Sequence, residues 1–110
     1  MGTERRRAPR YPVIAEAEVT EIESETKLTA KTSDLSLGGC YIESMYPFPA
    51  GTCLELKLEA GDTLLIAAKV VTCDPQFGNG IQFLRILPED REILGKFLDH
   101  CADEELARRG

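Results

Sequence analysis

Two short stretches carry side chains suited to more than packing. The first is ERRRAPR, where Arg5, Arg6, Arg7 and Arg10 fall within six residues. A guanidinium is always charged, bonds phosphate bidentately, stacks on aromatic rings and matches the O6 and N7 acceptors of guanine. Arg6 and Arg10 stand in an R-x-x-x-R spacing. Pro9 and Pro12 bias Ala8 and Tyr11 towards extended backbone, which lowers the entropy lost if the stretch docks. The second stretch is SDLSLGG, which sets Asp34, Ser36 and Gly39 in a D-x-S-x-x-G pattern, with Gly38 inside it. A carboxylate can accept from the N1–H and N2 amino group of guanine, a hydroxyl can donate or accept, and Gly38 and Gly39 permit positive φ and close approach to backbone. The same residue types also make an ordinary tight connection between strands.

Charge separates these two stretches from the rest. The 110 residues hold 13 Lys+Arg against 19 Asp+Glu, a formal net charge of -6. The first ten residues carry four arginines and one glutamate, so the positive charge is concentrated in an arm ahead of an acidic body. An acidic body disfavours long nucleic acid, which needs many phosphate contacts on a broad basic face. Single-strand binding would also want exposed aromatics, and the chain offers three Tyr, four Phe and no Trp. A short basic arm suits a small anionic ligand better.

The elements that must position these residues are read from period. VIAEAEVTEI alternates with Val13, Ala15, Ala17 and Val19 on one face, a half-buried strand. KLTAKTSDLS resumes alternation, and a short strand through Tyr41 and Ile42 follows the glycine pair. YPFPAG is a loop. TCLELKLEAGD puts Leu54, Leu56 and Leu58 inward and ends in a Gly61-Asp62 turn. TLLIAAKVVTCD is a longer strand with one or both faces covered, PQFGNG a turn, and GIQFLRI a last strand with Ile81 and Phe83 on one face. The period then changes: Pro88 opens a helix, Glu89 and Asp90 complement its dipole, and Ile93, Leu94, Phe97, Leu98 and Cys101 form one stripe. Six short strands with regular turns predict a mainly β fold, a closed six-stranded antiparallel barrel that removes exposed edges, with a C-terminal α-helix over one opening or flank. The expected division is an arm over 1–12, a barrel over 13–87 and a helix over 88–103, with the polar tail fraying or extending it.

The arm before the first strand, D-x-S-x-x-G after the second and GIQF in the last strand, in that order, resemble the PilZ domain family. The resemblance covers residues 5–101 and includes the fuller form R-R-x-x-x-R at Arg5, Arg6 and Arg10. It implies a bacterial receptor for cyclic di-GMP. Arg5, Arg6, Arg10, Asp34, Ser36, Gly38 and Gly39 are then the ligand-binding residues, and an arginine at the place of Arg5 goes with a stacked ligand pair. Binding would fold the arm over the barrel and signal to a downstream effector protein that the sequence does not identify. The alternative is a PilZ-type adaptor working through protein contacts without the nucleotide.

Other chemistry finds little support. The widely spaced Cys40, Cys53, Cys73 and Cys101 contain no C-x-x-C, and the one histidine, His100, adjoins Cys101, so neither a metal site nor a cofactor is expected. Cys40 follows Gly39, which would bring its thiol near the site, but no activating base is evident and no enzyme activity is expected. No apolar run approaches the roughly 20 residues of a membrane helix, and the basic N-terminus lacks the apolar segment of a secretory signal. The expectation is a cytoplasmic protein with no membrane insertion and no DNA or RNA partner.

Overall fold

The structure is a computed structural model and describes residues 11–109. It contains six strands, β1 (Glu16–Glu21), β2 (Lys27–Leu35), β3 (Gly39–Glu43), β4 (Cys53–Glu59), β5 (Thr63–Asp74) and β6 (Gly78–Ile86), then one helix, α1 (Pro88–Arg109). All strand pairs are antiparallel, and the sheet closes as β1-β2-β3-β6-β5-β4. The predicted barrel is therefore present, and closure leaves no free ladder edge.

Alternation builds the interior. In β4, Leu54, Leu56 and Leu58 point in, and in β5, Leu64, Ile66, Ala68 and Val70 do. Burying each such leucine or isoleucine stabilises the fold by roughly 1.5–3 kcal/mol before entropy is counted. Only one face of β5 is covered: Leu65 and Val71 face outward and are exposed. Cys40 is fully buried opposite Leu35, so its thiol lies in the core and not on the site-bearing surface. None of the four cysteines is in a disulfide.

Two strand boundaries differ from the sequence expectation, each for a local reason. The first strand begins at Glu16, not Val13. The Thr32 hydroxyl inserts there, accepting from the Ala15 N–H at 2.9 Å and donating to the Val13 carbonyl at 2.7 Å, while the Thr32 N–H donates to the Ala15 carbonyl at 2.9 Å. The last strand begins at Gly78, because Asn79 turns inward and its side chain bonds the Phe48 N–H, the Phe48 carbonyl and the Thr72 carbonyl. The helix continues past 103 to Arg109.

The helix covers the barrel end that carries the β2–β3 and β4–β5 connections. Leu94 and Leu98 are buried, and Ile93 and Phe97 lie against Gly61 in the β4–β5 turn. A side chain at Gly61 would meet Ile93 at 3.4 Å, and its φ of +86° also favours glycine. Leu37, in the β2–β3 loop, packs towards Gly95. The helix therefore also supports the loop that holds the D-x-S-x-x-G pattern. No helix among the described residues is long and apolar enough to cross a membrane.

Candidate ligand-binding surface

The position of Asp34 depends on one extra residue. Thr32 pairs with Ile42 and Leu35 with Cys40, and all four side chains point inward. Between those pairs β3 contributes only Tyr41, whereas β2 contributes Ser33 and Asp34. This is a β-bulge, two residues against one. Without it strict alternation from Thr32 would send Asp34 into the core. With it Asp34 faces outward, half-buried, directly opposite Tyr41.

The loop that follows is held by Ser36, which is buried. Its hydroxyl accepts from the Gly38 and Gly39 N–H groups, each at 3.1 Å, and donates to the Gly39 carbonyl at 3.2 Å. The Ser36 N–H also donates to that carbonyl at 2.8 Å. Neither glycine has positive φ. A Cβ on Gly39 would run into the Ile81 carbonyl oxygen of β6, so this glycine allows two backbones to approach. Gly38 is open to solvent, with nothing near the place of a Cβ, and its carbonyl accepts from the Phe83 N–H at 2.8 Å. Of the two properties expected of the glycine pair, close approach holds at Gly39, whereas positive φ is used at neither, and both N–H groups are engaged within the loop.

Arg5, Arg6 and Arg10 lie outside the described residues. Tyr11, which follows Arg10 in the chain, is described. Its N–H donates to the Leu35 carbonyl and its carbonyl accepts from the Leu35 N–H, both at 3.0 Å. The arm therefore joins the barrel beside the residue next to Asp34.

Alternation could have revealed a further feature, since Ile42 inward requires Tyr41 outward. The Tyr41 side chain crosses over β6, where Gly78 offers no side chain to obstruct it, and donates to Asp74 Oδ2 in β5 at 2.7 Å. Desolvation, then the bond to the Asp74 carboxylate and its charge, push the Tyr41 phenol up to about 12. An open groove of about 810 Å³ runs past this ring, lined by Tyr41, Glu43, Ser44, Met45, Asp74, Gln76 and Phe77. The residues of the β5–β6 turn came into the site through pairing of β3 with β6, which is invisible in a one-dimensional pattern.

Among the described residues no group of three or more His, Cys, Asp or Glu could hold a metal ion. His100 is exposed and pairs with Glu104 one helical turn on, at 3.3 Å. Burial raises the Cys101 thiol above its ordinary pKa, which makes it a poorer nucleophile.

The described residues thus form a closed six-stranded barrel with a C-terminal helix, with the Asp of D-x-S-x-x-G facing outward, in a chain whose sequence has R-x-x-x-R ahead of the first strand. The PilZ domain matches residues 4–100, and the chain belongs to the PilZ family. Among solved structures it is similar to YcgR from Escherichia coli in complex with c-di-GMP, with a TM-score of 0.78 and 18% identity over 96% of this chain and 50% of that one. The PilZ domain of YcgR with c-di-GMP, from the same organism, gives 0.70 and 16% over 96% of this chain and 97% of that one. The Bacillus subtilis inhibitor of motility MotI gives 0.72 and 20% over 96% and 53%. The chain thus spans about half the length of YcgR and MotI. No curated protein matches it.

Proposed function

We propose that this PilZ domain is a cytoplasmic receptor for cyclic di-GMP. Arg6 and Arg10 bind its phosphates and the O6/N7 edge of guanine, with Arg5 adding a further cation. Asp34 accepts from the N1–H and N2 amino group of guanine. Ser36 and Gly39 serve the site by fixing the loop between β2 and β3, and Gly38 leaves that loop accessible. Ligand capture orders the arm against the barrel, and an effector protein reads the change. The neighbouring structures that carry c-di-GMP favour this ligand over other anions.

The observation that carries the reading is the Tyr11–Leu35 bridge. It fixes Tyr11, the residue after Arg10, against Leu35, one residue from Asp34, which supports assigning the arginines and the carboxylate to one ligand. Micromolar affinity needs about 8 kcal/mol. Charge-assisted hydrogen bonds at roughly 1.5–3 kcal/mol each can supply it from five or six contacts after the arm is ordered. Calorimetric titration of the whole chain with cyclic di-GMP tests the proposal. Binding that weakens with salt and falls about 10- to 150-fold in folded Arg10→Ala or Asp34→Ala variants is expected. Absence of binding by the unaltered chain at low salt would refute it. In that case a thermal midpoint indifferent to excess nucleotide, together with a captured protein partner, would favour the adaptor alternative.

A further inference from the structure

We infer that Tyr41 is the base platform of this surface, a ring held in place so that one guanine stacks on it while Asp34 reads that guanine's edge. The inference rests on the cyclic di-GMP reading and adds to it a residue outside both motifs.

Three observations support the assignment. Tyr41 and Asp34 are register partners on the outer face, so the ring and the carboxylate originate about one strand spacing apart, roughly 5 Å. The ring itself leans away from β2, over β6 to Asp74 of β5, so a base lying on it has to extend back across β3 to bring its edge to Asp34. Second, the ring is fixed before any ligand arrives. Its hydroxyl is committed to Asp74 at 2.7 Å, and its Cε1 lies 2.9 Å from where a Cβ on Gly78 would stand. Gly78 and Gly80 face outward from β6 yet are buried, because the side chains of Tyr41 and Thr72 lie over them. A ring resting on bare backbone and tethered at its tip loses little freedom when a second ring stacks on it. Third, Tyr41 borders the open groove, so a flat ligand can reach it from solvent. The exposed aromatics nearby lack this support: Tyr46 and Phe77 are 89% and 72% exposed, outside the strands.

Every base presents a π-face, and losing an aromatic platform typically weakens binding about 5- to 150-fold. The test is titration of cyclic di-GMP into the unaltered chain, Tyr41→Phe and Tyr41→Leu, with proton NMR of the unaltered complex. Tyr41→Leu is expected to bind about 5- to 150-fold more weakly. Tyr41→Phe, which keeps the ring and loses only its tether, should stay within several-fold of the unaltered chain. In the unaltered complex one guanine H8 should shift upfield and show cross-relaxation to the Tyr41 ring protons. A folded Tyr41→Leu variant with unaltered affinity would overturn the assignment while leaving the receptor reading intact. If Tyr41→Leu does not fold, the NMR result decides, and a guanine H8 without either signature overturns it. An unaltered chain that binds no cyclic di-GMP removes the receptor reading and the platform together.

Discussion

Gly38 and Gly39 are neighbours of identical type inside one motif, and the structure predicts opposite responses to the same change. A Cβ on Gly39 would occupy the space of the Ile81 carbonyl oxygen, with the Ile81 carbonyl carbon at 3.3 Å and the Gln82 Cα at 3.4 Å. These are backbone atoms, so no side chain can swing aside. Relief requires β3 and β6 to part by on the order of an ångström at the pairs Gly39–Gln82 and Cys40–Ile81. Overpacking of this kind costs about 1–3 kcal/mol, and one or two weakened ladder bonds add about 0.5–1.5 kcal/mol each. The sum for Gly39→Ala is about 1.5–6 kcal/mol, from a total stability on the order of 5–15 kcal/mol. At roughly 4 °C per kcal/mol for a chain of this size, the thermal midpoint should fall by about 6–24 °C. Gly38→Ala meets nothing within 4 Å and has no positive φ to lose, so it should be neutral or stabilise by up to about 1 kcal/mol. Circular dichroism melts of both variants without ligand provide the assay. If Gly39→Ala melts within about 3 °C of the unaltered chain yet loses cyclic di-GMP affinity, the glycine is there to admit the ligand, and the strand-contact argument is wrong.

Two further predictions concern single side chains. Thr32→Val keeps the shape but removes the hydroxyl that serves both the Ala15 N–H and the Val13 carbonyl, so urea unfolding should show a loss of about 2–4 kcal/mol. The Tyr41 phenol has a folded pKa of about 12, above the ordinary value of 10.0. Because the neutral form is the one favoured by folding, this contribution is fully present below pH 10 and is lost as pH rises from about 10 to 12. Ultraviolet titration of phenolate should therefore show one tyrosine ionising near pH 12, and Tyr41→Phe should remove that component. A Tyr41 component near pH 10 would mean that the bond to Asp74 is not formed in solution.

Period-two order in β4 was sufficient to place Leu54, Leu56 and Leu58 inside, whereas the more apolar β5 left open whether one or both faces were covered until Leu64, Ile66, Ala68 and Val70 proved to face inward. The D-x-S-x-x-G pattern was equally legible as a string. Its physical roles were not, since they depend on partners distant in sequence. Ser36 reads as a ligand hydroxyl or a turn residue until the loop folds back on it. Gly39 reads as a place of close approach, but only the pairing with β6 shows what approaches. Asp34 reads as inward or outward according to a bulge that no composition rule announces. The core position of Cys40 follows from the same register: Asp34 outward and Leu35 inward oblige Cys40, opposite Leu35, to face the interior.

That register also bears on how an acidic protein could hold an anionic ligand. Two acidic side chains line the groove: Asp74 is engaged by the Tyr41 hydroxyl, and Glu43 is exposed to solvent. Arg5, Arg6, Arg7 and Arg10 precede Tyr11, where the chain bridges to the ladder. Had the same arginines been built into β2 or β3, their positions would be fixed by the pleat, and they could not approach both the phosphates and the base edge of one ligand. A stiff wall can present one carboxylate in one direction, which is what reading a guanine edge requires. Enclosing a charged ligand from the opposite side requires chain that is free to adapt. On the proposed reading, the division between acidic barrel and basic arm follows from these two mechanical demands, and the bulge at Ser33 and the bridge at Tyr11 are where they are brought into contact.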